Sequence, residues 1–403
     1  MSTNSFSALL KQSQFLRFWF ARLVGITANQ MLMLAVAWHV YEMTSSAWDL
    51  GLVGLFQFIP ALLMTLPAGH TADRLHRGRI FAVCMLAQAA VAVLLVLATQ
   101  GDFANRELIF ALSVVLGVAR AFQMPAQQAI TPMLVPSHLL QPAVALSSSG
   151  VQAAVIGGPA LGGLLYVAGA HTVYTTCAVL LITAFVLTWW VVLPHRPTQT
   201  AATWRTVLAG VGFVCERPVL LGAMALDLFA VLLGGATALL PIYARDILHV
   251  GPQGLGLLRA APAVGALLMS LALARWPMQR RVGHRLLMAV GVYGLATVVF
   301  GMSESFWLSL AALAVTGAAD NISVVTRLTL MQMETPDDMR GRVAAVNGVF
   351  IGASNQLGEF ESGATAAWMG PVGSVVFGGV GTVVVAVLWL RLFPQLAQRD
   401  RMT

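Results

Sequence analysis

Residues 69–79 read Gly69-His-Thr-Ala-Asp73-Arg74-Leu-His-Arg77-Gly-Arg79, a short polar and basic stretch held between two apolar runs, 48–68 and 79–100. A helix rises 1.5 Å per residue, so each run is long enough to cross the roughly 30 Å of a bilayer's hydrocarbon core. Charged side chains are expelled from that layer. The stretch therefore marks where the chain leaves the membrane and turns back.

The same alternation extends in both directions. Apolar runs punctuated by Pro, Gly and charge fall near 15–43, 48–68, 79–100, 107–130, 139–168 and 171–193, then near 218–245, 252–275, 284–302, 305–333, 340–369 and 371–393. Hydrophobic residues make up 58% of the 403-residue chain and charged ones only 10%. A water-soluble domain carries about 25% charged residues. The pattern predicts an all-α integral membrane protein of twelve transmembrane helices. The first run is too long for a signal-peptide core and no small-residue cleavage pattern follows it, so it is expected to remain as the first helix. The longest polar connection, 195–205, is too short to fold alone.

The net charge of +7 would suggest nucleic acid in a soluble protein. Here 22 of the 23 basic residues are Arg, and they cluster between apolar runs. Seventeen fall in alternate connections or at the termini, from Lys11 and Arg17 through Arg74, Arg77 and Arg79 to Arg401, and only Arg106 and Arg245 fall opposite. By the positive-inside rule both termini are cytoplasmic. The expected location is a bacterial-type inner membrane, with the lipid bilayer rather than nucleic acid as surroundings. Cys84, Cys177 and Cys215 are far apart and make neither a disulfide framework nor a zinc site. The histidines, His39, His70 and His76 among them, show no metal-ligand spacing. No cofactor or metal is expected.

The two halves repeat. At a shift of 200, Gly117, Pro136, Gly158 and Gly163 match Gly317, Pro336, Gly358 and Gly363; at 205, Leu50-Gly51 matches Leu255-Gly256. Two pseudo-symmetric six-helix bundles are predicted, at residues 1–195 and 218–403, with a cytoplasmic linker at 196–217 that could hold an amphipathic helix. Duplicated halves are a common transporter architecture, with the solute site at their interface.

Against this frame, Gly69 to Arg79 is similar to the G-x-x-x-D-R-x-x-R-R signature of the major facilitator superfamily, with Gly78 interrupting the final basic pair. The resemblance assigns Gly69, Asp73, Arg74, Arg77 and Arg79 to a cytoplasmic gate, and Gly69 would let a helix end approach its neighbour closely. In the fourth helix, Gly117-Val-Ala-Arg120-Ala-Phe-Gln123-Met-Pro125-Ala resembles the family's R-x-x-Q-G element, with Met124 in place of Gly. In the fifth, Gly158-Pro159-Ala-Leu-Gly162-Gly163 looks like the G-P-x-x-G-G element associated with export by antiport. Tyr41-Glu-Met-Thr-Ser-Ser-Ala, Arg120 to Ala126 and Met339-Arg-Gly-Arg-Val look most like the branch containing the bacterial enterobactin exporter. That branch implies proton-driven efflux of an organic molecule, and the superfamily implies a monomer with a central cavity lined by the first, fourth, seventh and tenth helices.

Ionisable residues inside a spanning segment cost about 2.5–3.5 kcal/mol each on insertion scales, so they face a cavity or a partner. On the four cavity helices the substrate-contact candidates are Asn29, Gln30, Gln123, Asn321 and Arg327. The proton-coupling candidates are Asp227, Asp320 and Arg120, with Glu359 and Glu361 from the eleventh helix. Asp320 and Arg327 are seven apart and share a face, and Arg120 is the repeat counterpart of Asp320. Glu359 and Glu361 are two apart, hence about 160° from each other on a regular helix. Arg22 sits near enough to a helix end to snorkel. No G-x-x-x-x-G-K-[ST] element and no convergent nucleophile, acid/base or metal set is present, which argues against direct ATP drive and against an enzyme. The expected function is secondary active transport of a small molecule, with protons as the coupling ion. An importer or facilitator on the same fold, and a non-transporting membrane sensor, are the alternatives.

Overall fold

The structure, a computed structural model, describes residues 8–193, 204–276 and 280–400, without the side chains of residues 66, 72, 73, 204–208, 337 and 338. Six long helices form the first half: α1 (Ser13–Thr44), α2 (Ala47–Arg74), α3 (Arg77–Gln100), α4 (Arg106–Leu134), α5 (Leu140–Tyr166) and α6 (Ala170–Trp189). A short helix, α7 (Trp204–Cys215), follows. The second half contains α8 (Pro218–Leu233), α9 (Gly251–Arg275), α10 (Val282–Met302), α11 (Phe306–Glu334), α12 (Asp337–Leu392) and the one-turn α13 (Pro394–Ala397). Among the described residues eleven helices are long and apolar enough to cross a membrane. The last of them is two spans joined at Gly370, whose φ of 81° breaks the helix, so the predicted twelve are present.

The repeat is visible in the backbone. Gly169, between α5 and α6, has φ 99° and ψ 157°; Gly370, at the matching point of the second half, has φ 81° and ψ 162°. A left-handed φ of this kind with an extended ψ is close to glycine-only territory. α4 and α11 both end in an extended residue before a proline, Val135-Pro136 and Thr335-Pro336, because the proline ring disfavours the helical conformation just before it.

Two predicted boundaries change. The stretch 69–79 is not a loop: α2 runs on to Arg74, with Leu75 N–H still donating to Thr71 C=O, and α3 begins at Arg77. Only residues 75 and 76 connect them. The seventh span, expected as one helix over 218–245, is broken after Leu233. It continues to Ile247 through irregular turns that end in a π-helical turn at Tyr243–Ile247. Consecutive Gly234 and Gly235 weaken the helix there, and a side chain at Gly235 would collide with the backbone of Gly358.

The chain divides into two compact units, one of residues 1–43 and 59–202, the other of residues 44–58 and 203–403. In the first, α5 lies on α1 through a line of small residues. A Cβ at Gly150 would meet the Trp19 indole, at Gly158 the Gln30 stem 2.6 Å away, and at Gly162 the Met31 backbone 3.1 Å away. Trp19 Nε1 also donates to Leu146 C=O at 3.1 Å. In the second, α9 and α11 touch backbone to backbone: a Cβ at Gly265 would strike the Ala314 carbonyl, and one at Gly317 the Pro262 carbonyl. Lipid supplies no hydrophobic drive for helix association, so such close van der Waals packing carries it. Gly317→Val should therefore lower the thermal unfolding midpoint of the purified protein, with a cost of about 1–3 kcal/mol from overpacking. Gly157→Ala, where nothing stands within 4 Å, should leave the midpoint unchanged in the same scan.

Candidate functional site

Asp227 lies nine residues from the start of α8 at Pro218, and Arg327 seven residues from the end of α11 at Glu334. At 1.5 Å per residue those offsets are about 13 and 10 Å, so the two side chains reach similar depth in adjacent helices. They meet in a buried ion pair between Arg327 Nη1 and Asp227 Oδ2, with the two side chains 2% and 6% exposed. Neither charge has water to fall back on. Asp320 and Ser323, one turn apart on the face that carries Arg327, complete the cluster with Tyr293 of α10. A void of about 10 Å³ separates Asp227, Tyr293, Asp320 and Ser323, the lower limit of what one water needs.

The electrostatics are unbalanced by one charge. Asp320 lies within Coulombic reach of both Asp227 and Arg327. Two carboxylates face one guanidinium, whose Nε has no hydrogen-bond partner. With both acids ionised the cluster carries −1, and one proton neutralises it. Tyr293 Oη donates to Gly234 C=O at 3.1 Å, linking the cluster to the point where α8 unwinds. Nearby, Ser270 Oγ donates to Asn321 Oδ1 at 3.2 Å, which ties α9 to α11.

The first unit holds a different kind of buried polar group. Gln88 of α3 and Gln123 of α4 share a hydrogen bond of 2.7 Å, and Gln123 continues to Gln127 at 3.3 Å. All three are nearly inaccessible, at 1%, 6% and 6%. Arg22 of α1 can only donate, so the Gln127 carbonyl oxygen faces it, 3.1 Å from Nε and 3.3 Å from Nη2, and the Gln127 amide nitrogen is the atom turned to Gln123. Arg22 is thus the anchor of an amide chain. Arg120 is exposed, and Asn29 and Gln30 are half-buried, with Gln30 taken up by packing under Gly158.

Glu359 and Glu361 do not line the void at Asp227. Both are half-buried on α12. Glu359 lies where residues 47–58 of α2 pack on α12: a Cβ at Gly54 would stand 3.0 Å from its Oε2, Gly51 faces Gly363, and the Trp48 and Phe360 rings meet edge-on at 5.5 Å. Beside Glu361, Ser374 Oγ bonds Ser362 C=O at 3.0 Å and the Thr365 hydroxyl at 2.7 Å, which fastens the last two spans together.

Of the gate residues, Arg74 and Arg79 are exposed and Arg77 Nη1 reaches Met133 Sδ at 3.6 Å; the Asp73 side chain lies outside the described residues. Gly69 has open space where a Cβ would stand, so the close approach expected there does not occur. Gly78, which interrupts the basic pair, is buried with a Cβ position only 3.1 Å from Leu193, leaving no room for a long side chain. In the fifth helix, Gly158 and Gly162 serve the contact with α1, with Pro159 and Gly163 buried beside them. Gln88, Gln127, Tyr293 and Ser323 were not singled out from the sequence. Their signal was a neutral polar residue inside an apolar run.

A sequence profile for transmembrane secretion effectors, a family of the major facilitator superfamily, matches residues 3–402. The enterobactin exporter EntS of Citrobacter koseri is 27% identical over 97% of this chain and 94% of its own length. The fold is that of the nucleoside transporter NupG, with a TM-score of 0.70 at 15% identity over 94% of this chain and 99% of that one. It is also that of a bacterial homologue of the human lysosomal transporter Spinster in an inward-facing, occupied conformation, with a TM-score of 0.72 at 15% identity over 94% and 96%. A full-length match of this kind, on twelve apolar helices with charges buried at depth, places the chain in the transmembrane secretion effector family of the major facilitator superfamily, as a multi-pass membrane transporter.

Proposed function

We propose that this protein exports a small, siderophore-like or drug-like organic solute in exchange for protons. The observation that carries the reading is the buried cluster of Asp227, Arg327 and Asp320, with one acid more than it has cations. The enterobactin exporters among its relatives supply the direction and the solute class. Two bundles, residues 1–195 and 218–403, alternate access to a midplane cavity, and residues 196–217 join them in the cytoplasm with both termini. The protein works as a monomer in a bacterial inner membrane.

Within the cluster the roles divide by charge. Asp227 is compensated by Arg327, which is in direct contact with it. Asp320 has no cation of its own and takes the proton. Its protonation moves the cluster from −1 to neutral, and Tyr293 passes the change to the broken end of α8 through Gly234. Gln123 and the amide chain of the first unit offer neutral donors and acceptors to the solute.

Reconstitution in proteoliposomes tests this reading. An imposed proton gradient should drive accumulation of enterobactin or a related catecholate by the wild type. Asp320→Asn should lower that accumulation by at least about tenfold, the equivalent of 1.4 kcal/mol, while keeping solute exchange without a gradient. Unchanged proton-driven accumulation in Asp320→Asn removes the assignment, and accumulation in the opposite sense makes the protein an importer.

A second measurement addresses the pair. Arg327→Met strands a buried carboxylate and should destabilise the protein by about 3–5 kcal/mol, whereas Asp227→Asn combined with Arg327→Met should recover most of that loss. Additive losses in thermal unfolding would mean that the two residues do not act as a pair.

A further inference from the structure

At the end of α1 opposite the N-terminus, four ionisable side chains from three helices of the first unit meet, and none of them takes part in the proposed exchange. His39 lies five residues from the end of α1 at Thr44, and Glu42 two residues from it. Tyr166 is the last residue of α5, and Tyr174 lies four residues from the start of α6 at Ala170. His39 and Tyr174 are 8% and 0% exposed, and the ring Nδ1 and the phenol oxygen share a hydrogen bond of 3.0 Å. Tyr166 Oη donates to Glu42 Oε2 at 3.0 Å. His39 and Glu42 are three apart on one helix and so share a face, and Glu42 lies within Coulombic reach of both His39 and Tyr174. The two hydrogen bonds make one cluster that ties α1 to α5 and to α6.

The neighbouring helices bring little other charge to this end. Residues 88–100 of α3 contain no acid or base, and Tyr166 is the only ionisable residue of α5. On α6, His171 is held by Gln100 Nε2 at 2.6 Å, and Cys177, behind Tyr174, bonds the Ala28 carbonyl at 3.4 Å. Asp102, Arg106 and Glu107, at the same end, are exposed. With His39 neutral the cluster carries the −1 of Glu42, and a proton on the imidazole neutralises it. The bond to Tyr174 changes with that proton: a neutral imidazole can accept the phenol hydrogen at Nδ1, whereas an imidazolium donates from both nitrogens, so Tyr174 must turn its own hydrogen away. Immediately beyond Glu42 the chain passes from the first unit to the second, between residues 43 and 44. Ser45 there has a left-handed φ of 47°, uncommon for a residue other than glycine.

We propose that His39 is a proton-binding site of the first unit, and that its charge sets the position of the last turn of α1, from which the chain crosses to the second unit. The proton comes from water at this end of the molecule, past the exposed Glu42. Once bound, it gives Glu42 a counter-charge one turn away on the same helix, and draws that carboxylate toward α1 against its bond to Tyr166 of α5. The last turn of α1 thereby answers to pH. Asp320 lies in the other unit, so the site does not depend on the role given to that carboxyl. Only the compartment whose pH is sensed, the periplasm, rests on the proposed topology.

A nitroxide spin label at Met43→Cys, an exposed position in the last turn of α1, reads the site in the full-length protein in detergent. The background carries Cys215→Ser, since Cys84 and Cys177 are buried. The mobility of the label should change in one single-proton step between about pH 5 and pH 8, the range in which an imidazole ordinarily changes charge. His39→Gln should abolish the step, and His171→Gln should leave it in place. Glu42→Gln removes the counter-charge and should move the midpoint to lower pH, a shift that can be read even if His39→Gln fails to fold. A line shape that does not change over that range, a step that persists in His39→Gln, or a midpoint unmoved by Glu42→Gln overturns the proposal. Loss of the step in Asp320→Asn would assign it to the other cluster and overturn the proposal as well.

Discussion

Hydrocarbon cannot accept or donate a hydrogen bond, and the rest of this structure follows from that constraint. Backbone groups at depth must be satisfied within the protein, so the chain is helical along nearly all of each crossing, the break at Gly234 and Gly235 excepted. Without water to drive helices together, they associate through backbone approach at small residues. Gly265 and Gly317 in one unit, and Gly158 and Gly162 in the other, meet that need. Side-chain polarity at depth must likewise find a partner inside the protein, which is why Asp227 meets Arg327 and why Gln88, Gln123 and Gln127 form a chain.

The two units meet the constraint with different chemistry. The first unit buries neutral amides, with Arg22 fixing their direction at one end. The second buries formal charge. A compensated ion pair by itself contributes little net stability, since desolvation offsets most of the attraction. On the proposed reading, its value lies in making the state of the neighbouring Asp320 matter. A proton there changes the charge of a nearly dry cluster whose void holds at most one water, and low dielectric magnifies the consequence.

The fold was almost fully legible in the sequence because the bilayer sets one length for every spanning element, and the chain repeats that length twelve times. Legibility failed where local chemistry overrode the pattern. The polar stretch from Gly69 to Arg74 reads as loop yet continues α2, since nothing in it prevents helical hydrogen bonding before Leu75. Gly234 and Gly235 sit inside an apolar run that reads as unbroken helix, and only the backbone of Gly358 pressed against them shows why the helix gives way. The candidate site was half legible. Asp227, Asp320 and Arg327 stand out as charges in apolar surroundings, but periodicity groups only residues on one helix, so Arg327 was matched with Asp320 rather than with Asp227. Depth, counted from the helix ends, holds the missing information. Neutral partners such as Tyr293 and Gln88 carry no such flag.

The central claim is that one carboxyl, Asp320, holds the exchangeable proton beside the Asp227–Arg327 pair. The most direct measurement is proton release into unbuffered detergent solution when the exported solute binds. The account predicts release by the wild type and by Glu361→Gln, and none by Asp320→Asn. Undiminished release from Asp320→Asn, or its loss in Glu361→Gln alone, would contradict it.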